Sequence, residues 1–360
     1  MIEAGEMRDI MSKSSTRRGL AAFGQALLAG VAWSVSMGGP QAALAQLPDP
    51  GMQVESGDAA SSPAEFSKFG ETAIRYNTVS IDGLDIFYRE AGNVNSPTLL
   101  LLHGFPTSSQ QFRDLIPELS DSYHVIAPDY PGFGRSSMPD PEVFEYSFAN
   151  YANLMNSFTD ALELRSYSMY VMDYGAPVGY RLALQEPHAI EAMIIQNGNA
   201  YEEGLVDFWD VFRTYWADPI DENREPLRGF LNVGATEWQY THGVPETHLS
   251  RISPDAWMLD QTYLDRPGNQ EIQLDLFYDY RTNVDLYPDF QEFFRTFQPP
   301  TLIVWGENDH IFPATGATPY LRDLPDAELH LIDAGHFILE SHGPEVAATI
   351  RAFLSRNLTE

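Results

Sequence analysis

The chain has 360 residues, 44% of them hydrophobic and 20% charged, which is enough for a full-size globular core. A formal net charge of −30 argues against a nucleic-acid partner, because phosphate contacts need clustered Lys and Arg. The absence of cysteine excludes disulfides, a thiol nucleophile and a thiolate metal site.

The first 45 residues are typical of an export signal. An Ala- and Gly-rich run over residues 19–37 follows the pair Arg17-Arg18, and Ala43-Leu44-Ala45 forms a small-x-small cleavage pattern. The arginine pair resembles a bacterial twin-arginine signal, although Leu20 stands where that pattern usually carries Phe. Polar residues dilute the run below what a stable membrane span needs. We predict cleavage near Ala45, export to the bacterial periplasm and no stable span in the mature chain.

Residues 46–77 are rich in Pro, Gly, Ser and Ala and are predicted to be a linker. Regular structure is expected from residue 78, where two alternating segments flank the turn Asp82-Gly83 and predict a β-hairpin. The apolar run at 98–102 is typical of a strand buried on both faces of a parallel sheet. It ends in His103-Gly104-Phe105-Pro106.

Strands then alternate with helices, which predicts an α/β fold with a mostly parallel sheet flanked by helices. Further strands are predicted at 123–128, 169–172, 192–196, 301–306 and 328–332, and helices at 110–119, 144–164 and 344–354. Residues 199–298 have a different character, being rich in aromatic and acidic side chains with mostly helical spacing. We interpret them as a helical cap inserted into a core formed by residues 78–198 and 299–360.

Asp173 is a lone carboxylate at the end of an apolar run, followed by Gly175 and a helical segment. A strand, a tight turn and a helix are the context of a nucleophile elbow, which lifts one reactive side chain above a sheet. An aspartate that merely caps the next helix explains this stretch equally well.

Two further polar residues follow predicted strands, Asp309 and His336. Because parallel strands place their carboxyl ends at one edge of the sheet, these side chains are expected to converge with Asp173. Nucleophile, acid and histidine occur in the chain order of the α/β-hydrolase fold. Together they favour a catalytic set over three unrelated loop residues. The remaining histidines show no ligand spacing, so no metal is predicted.

The motifs around these residues resemble the α/β-hydrolase superfamily over residues 78–357. They are His103-Gly104-Phe105-Pro106, residues 129–137, the elbow at Asp173, residues 306–309 and Gly335-His336. An aspartate at the nucleophile position is similar to the branch that contains epoxide hydrolases and haloalkane and haloacetate dehalogenases. A serine esterase would carry Ser there.

The resemblance implies hydrolysis of a small-molecule substrate without a cofactor. Asp173 would form an ester with the substrate, and His336, oriented by Asp309, would activate the water that hydrolyses it. Backbone N–H groups of Phe105 and Tyr174 are the expected oxyanion donors.

The substrate class depends on the neighbours of the nucleophile. Haloalkane dehalogenases usually hold halide with a Trp after the nucleophile and a Trp or Asn in the oxyanion turn, where this chain has Tyr174 and Phe105. Epoxide hydrolases use two cap tyrosines, and Tyr280 matches one of them. The other would be Tyr215, although Phe212 occupies the aligned position. Ordinary packing within an aromatic cap is the alternative for both tyrosines, and it is the favoured interpretation of Tyr215.

An epoxide hydrolase is therefore the first expectation, with a haloacetate or haloalkane dehalogenase as the alternative. Haloacetate dehalogenases usually place an Arg beside the nucleophile to bind the substrate carboxylate. This chain has Tyr174 there, and Arg213 of the cap is the residue that could bind the carboxylate instead. A relative that binds a ligand without catalysis is the alternative of another class.

Overall fold

The structure is a computed structural model that describes residues 72–358. The predicted export signal and the linker up to residue 71 lie outside the described residues. No helix within 72–358 has the length and apolar character needed to cross a membrane.

Eight strands in the described chain form one sheet with the order β1-β2-β4-β3-β5-β6-β7-β8. The pairs β1-β2 and β2-β4 are antiparallel, and all other neighbours are parallel. This confirms the predicted mostly parallel sheet that begins with a hairpin. The strands are β1 Arg75–Ile81, β2 Leu84–Ala91, β3 Thr98–Leu102, β4 His124–Pro128, β5 Tyr167–Met172, β6 Ile190–Gln196, β7 Thr301–Gly306 and β8 Glu328–Ile332.

Helices cover both faces of the sheet and fill the segment between β6 and β7. The α-helices are α1 Leu115–Leu119, α2 Phe148–Ala161, α3 Gly175–Gln185, α4 Asp210–Ala217, α5 Asp221–Arg224, α6 Val233–Thr241, α7 Glu246–Leu249, α8 Pro254–Leu264, α9 Asn269–Asp279, α10 Arg281–Asp285, α11 Tyr287–Phe297, α12 Tyr320–Asp323 and α13 Ile338–Asn357. Short 3₁₀ helices lie at Ser109–Phe112, Pro187–Ala189, Glu202–Gly204, Asp207–Trp209, Glu225–Leu231 and Ala314–Gly316.

The central strands are buried on both faces because successive side chains point to opposite sides of the sheet. In β3, Leu99 and Leu101 pack on the side covered by α1 and α13, and Leu100 and Leu102 pack on the side of α2 and α3. The continuous apolar run in the sequence reflects this double burial.

Several element boundaries differ from the sequence prediction. β1 begins at Arg75 instead of residue 78, and the helix predicted at 110–119 is divided into a 3₁₀ turn and α1. The segment 144–164 is helical only from Phe148, after Ser147, whose hydroxyl accepts a hydrogen bond from the backbone N–H of Asn150. The last helix begins at Ile338, with Pro344 inside it and a kink at His342. Pro344, the first residue of the predicted helix, therefore lies just beyond this kink.

Residues 197–300, all of which the structure describes, contain helices and turns but no strand. They run from the carboxyl end of β6 to the amino end of β7, and several of their side chains line a cavity together with Asp173, at the edge where the parallel strands end. We call this segment the cap and the sheet with its flanking helices the core.

Candidate active site

Asp173 occupies a sharp turn between β5 and α3. Its backbone φ is +50°, in the left-handed region that only a few residue types tolerate. A Cβ at Gly175 would lie 2.1 Å from the backbone oxygen of Leu102, so the turn needs glycine there. Tyr174, and not Asp173, is the N-cap residue of α3, and no side chain caps that helix. The helix-capping interpretation of Asp173 is therefore wrong.

Two backbone N–H groups hold one oxygen of the Asp173 carboxylate. The amides of Phe105 and Tyr174 each donate to Oδ1 at 2.6 Å. The chain can approach this closely because residue 104 is glycine, where a Cβ would lie only 2.4 Å from the Cβ of Asp173. The structure thus brings the two predicted oxyanion donors to the predicted nucleophile.

Burial raises the pKa of Asp173 to about 6, and the Asp309 charge acts in the same direction. The charge of His336 and the two backbone N–H groups oppose this shift. The carboxylate is only 5% exposed, yet at neutral pH it remains ionised and able to act as a nucleophile.

His336 lies between the two carboxylates. Its Nδ1 is 2.7 Å from Oδ2 of Asp309, and its Nε2 is 3.8 Å from Oδ2 of Asp173. Burial lowers the pKa of His336, but the two carboxylates raise it more, and the net shift is upward. With Nδ1–H donating to Asp309, Nε2 faces the nucleophile and has no hydrogen-bond partner in the described chain.

Asp309 is held by three donors. Its Oδ2 accepts from His336 and also from Nδ2 of Asn197 at 2.7 Å, and its Oδ1 accepts from the amide of Ile311 at 2.8 Å. With both oxygens occupied, the carboxylate is fixed in the orientation that holds the imidazole.

Two residues at the end of β6, which the sequence analysis missed, support this arrangement. Asn197 binds Asp309 and also accepts a hydrogen bond from the amide of Gly306 through Oδ1, which ties β6 to β7. Gln196 donates from Nε2 to the backbone oxygen of His336 at 3.0 Å. A polar pair directly after a buried strand, next to the nucleophile strand, was the signal that could have identified them.

His103 braces the oxyanion turn. Its Nδ1 lies 3.0 Å from the backbone oxygen of Gly104, and its Nε2 accepts from the amide of Tyr130 at 3.3 Å. Burial lowers its pKa, so the ring is neutral and serves as one donor and one acceptor.

A largely aromatic cavity opens above Asp173, between the core and the cap. The empty space within it and at its open mouth amounts to about 490 Å³. Apart from Asp173, its polar groups belong to tyrosines, tryptophans and one glutamine. The lining residues are Phe105, Asp173, Tyr174, Phe208, Trp209, Phe212, Phe230, Ala235, Trp238, Gln239, Phe277, Tyr280 and Ile311.

Tyr280 lies in this cavity, as predicted, and Tyr174 lines it beside the nucleophile. Their ring centroids are 6.1 Å apart, and neither hydroxyl makes a hydrogen bond of ordinary geometry with the described residues. Burial raises the pKa of both phenols well above the ordinary value, so both stay protonated.

Tyr215, the second tyrosine predicted to bind substrate, does not line the cavity. Its hydroxyl accepts a hydrogen bond from Nε of Arg224 at 3.2 Å, and its ring packs against Tyr278. Phe212, one turn earlier on α4, faces the cavity in its place and brings no hydroxyl. The prediction for Tyr215 is wrong because the spacing along the helix did not fix which buried side chain faces the core.

Arg213 does not reach the cavity either. It pairs with Asp210 at 2.9 Å and donates to the backbone oxygens of Leu205 and Val206. No Lys or Arg is among the residues that line the cavity in the described chain. The same part of the chain contains no cluster of three or more His, Asp or Glu arranged to hold a metal ion.

Comparisons with known proteins agree with this architecture. Residues 97–343 match the family model of the alpha/beta hydrolase fold. An uncharacterized hydrolase of Saccharomyces cerevisiae, YNR064C, is 42% identical over 79% of this chain and 98% of that protein. A haloalkane dehalogenase of Mycolicibacterium paratuberculosis is 28% identical over 74% of this chain and 86% of its own length.

The fold also resembles that of a solved mutant of the haloalkane dehalogenase DatA from Agrobacterium tumefaciens. The TM-score is 0.66 at 22% identity, with 81% of this chain and 99% of that chain covered. The family match extends over more than half of the chain, and the yeast relative is similar over nearly its whole length. This protein therefore belongs to the α/β-hydrolase family.

Proposed function

We propose that this protein hydrolyses a small, neutral, apolar electrophile through an ester on Asp173, and that the substrate is an epoxide. One observation carries the proposal. Two backbone N–H groups fix Oδ1 of the Asp173 carboxylate, while Oδ2 lies 3.8 Å from Nε2 of His336. The residue lines a largely aromatic cavity. Such an oxygen is ionised, oriented and poorly solvated, as a carboxylate nucleophile requires.

In the first step Oδ2 of Asp173 attacks an epoxide carbon, and the bond between that carbon and the epoxide oxygen breaks. The resulting alkoxide takes a proton from the hydroxyl of Tyr280, which interacts with the hydroxyl of Tyr287 but makes no hydrogen bond of ordinary geometry within the described residues. The product of this step is a hydroxyalkyl ester of Asp173 and a tyrosinate.

In the second step Nε2 of His336 removes a proton from water, which attacks Cγ of the ester. Negative charge develops on Oδ1, where the amides of Phe105 and Tyr174 already donate. Collapse releases the diol, which takes the proton from His336, and the re-formed carboxyl group of Asp173 returns a proton to Tyr280. The net reaction consumes one water and one epoxide.

The charge of the cavity supports a neutral substrate. A haloacid would bring a carboxylate next to ionised Asp173, and within residues 72–358 no cationic side chain lines the cavity to balance it. The indole N–H groups of Trp209 and Trp216 already donate to the backbone oxygens of Ile311 and Phe277. Both are therefore engaged and unavailable to a halide, and of the two tryptophans that line the cavity only Trp238 has an indole N–H without an acceptor among the described residues.

Dehalogenation of a haloalkane remains the second candidate, because two curated relatives at 28% identity bear the name haloalkane dehalogenase. Its chemistry uses the same ester and differs only in the leaving group.

The test uses His336→Gln, which retains the nucleophile and loses the base. Incubation with an epoxide panel is expected to leave the intact ester on a peptide containing Asp173, detected by mass spectrometry, while Asp173→Asn gains no mass. Wild-type protein is assayed for diol release from the epoxides and for halide release from haloalkanes and haloacids. Diol without halide supports the proposal, and halide without diol selects the second candidate. The absence of both products and of any adduct would indicate a ligand-binding protein.

A further inference from the structure

We infer that Gln239 and Trp238 form a second, polar recognition site in the same cavity, which binds a neutral oxygen acceptor on the substrate. The substrate class is then an epoxide that carries a carbonyl or ether oxygen away from the reacting carbon. This inference rests on the proposed function for the identity of the reacting group, but not for the existence of the site.

Gln239 is the stronger observation. It lies on α6, is only 5% exposed and lines the cavity, yet its amide makes no hydrogen bond within the described chain. Gln261, a similarly buried glutamine of the cap, shows the usual situation. Its Oε1 accepts from Thr236, and its Nε2 donates to the backbone oxygen of Leu231. The Gln239 amide is not fully enclosed, and an accessible amide that lines a cavity and has no partner within the described chain is available to a group that enters the cavity.

Trp238, the preceding residue, provides a second unpaired donor. Its ring is held by stacking on His242, with centroids 4.6 Å apart, and it also lines the cavity. Its indole N–H has no acceptor among the described residues, whereas those of Trp209 and Trp216 donate to backbone oxygens. Trp238 thus differs from these two neighbouring cap tryptophans in having its N–H available.

The two donors specify the ligand group. An indole N–H can only donate, and a glutamine amide can donate from two N–H bonds, so an oxygen acceptor is the kind of group that either side chain can bind. The carboxylate of Asp173 in the same cavity and the absence of a lining cation disfavour an anionic acceptor. The other lining side chains are mainly aromatic and suit a hydrocarbon connection between the oxygen and the epoxide.

The test compares epoxy ketones of increasing chain length, each paired with the epoxyalkane of the same length. Phenyl glycidyl ether is paired with its carbon isostere, in which a methylene replaces the ether oxygen. For at least one pair, the wild type is expected to prefer the oxygenated member by about tenfold in kcat/KM, the effect of one well-formed hydrogen bond. Gln239→Met, which keeps the length and removes the amide, is expected to abolish this preference for the oxygenated member.

Two further variants control for packing. Trp238→Phe retains the ring and removes the N–H, so it should reduce the ratio in part. Phe230→Leu changes another lining residue without a polar group and should leave the ratio unchanged. A ratio that is the same in Gln239→Met and the wild type, or that is near one for every pair in the wild type, would overturn the inference.

A binding measurement separates this inference from the proposed function. Calorimetric titration with benzylacetone, an unreactive ketone, is expected to give a Kd about tenfold weaker for Gln239→Met than for the wild type. If no epoxide is hydrolysed but this difference is found, the proposed function fails and the polar site stands. Equal benzylacetone affinity in both proteins contradicts the polar site, whatever the epoxide assays give.

Discussion

The two sides of the cavity are built differently. On the core side, the groups that hold the catalytic carboxylates have defined partners, since Oδ1 of Asp173 accepts two backbone hydrogen bonds and both oxygens of Asp309 are occupied. The core groups without a partner among the described residues include Nε2 of His336 and the hydroxyl of Tyr174, which lie beside the nucleophile. On the cap side, the hydroxyl of Tyr280 and the polar groups of Trp238 and Gln239 have none within the described residues, amid aromatic rings.

This difference separates two tasks. Groups that must keep one geometry through a reaction are fixed by backbone and strand ends, which move little. Groups that meet the substrate must be left unpaired, because a side chain already bonded within the protein has nothing to offer a ligand. We therefore expect core substitutions to remove turnover altogether and cap substitutions to change its rate or substrate preference.

The largest effect is expected for Asp173→Asn. Asparagine has the same shape and tolerates the positive φ at this position, but it is not a carboxylate. We expect kcat to fall at least about a thousandfold with the melting temperature nearly unchanged, measured by diol release and calorimetry. A variant that folds and retains more than a tenth of the activity would show that Asp173 is not the nucleophile.

Tyr280→Phe should produce a smaller loss. Removing one proton donor typically costs about a hundredfold, so kcat/KM for epoxides is expected to fall by about that factor. Tyr215→Phe is the matched control, because its hydroxyl binds Arg224 outside the cavity, and its effect should stay within about twofold. Equal losses in the two variants would contradict the assignment of Tyr280 as the donor.

The pH dependence should show the smallest effect. Asp173 must be ionised to attack, and its pKa is raised to about 6. The rate of ester formation is therefore expected to fall as the pH drops below about 6 and to reach its plateau above about pH 7. In His336→Gln this acid limb should move to higher pH, since the histidine charge that lowers the pKa of Asp173 is gone. Single-turnover mass spectrometry across pH measures both limbs. A limb that stays in place or moves to lower pH would show that His336 does not influence the nucleophile.

The sequence by itself determined the fold class and placed three reactive side chains together. Asp173, Asp309 and His336 follow strands whose buried, apolar character is visible in the chain, and parallel strands end at one edge of the sheet. Gly104, next to the oxyanion donor Phe105, and Asp173 in the elbow were also visible in the sequence, because tight local backbone geometry restricts which residue types can occupy a position.

Only the tertiary structure decided the support and the lining of the site. Asn197 is an ordinary polar residue until β6 and β7 lie side by side and bring it to Asp309. In the cap, Phe212 and Tyr215 are both buried, and helical spacing alone does not say which of them faces the core. The unpaired state of Gln239 is likewise defined by what surrounds it. The end of a parallel strand determines at which edge of the sheet the following residue lies, and this is visible in the local sequence. Which face of a cap helix points towards the core depends on packing against segments far apart in sequence.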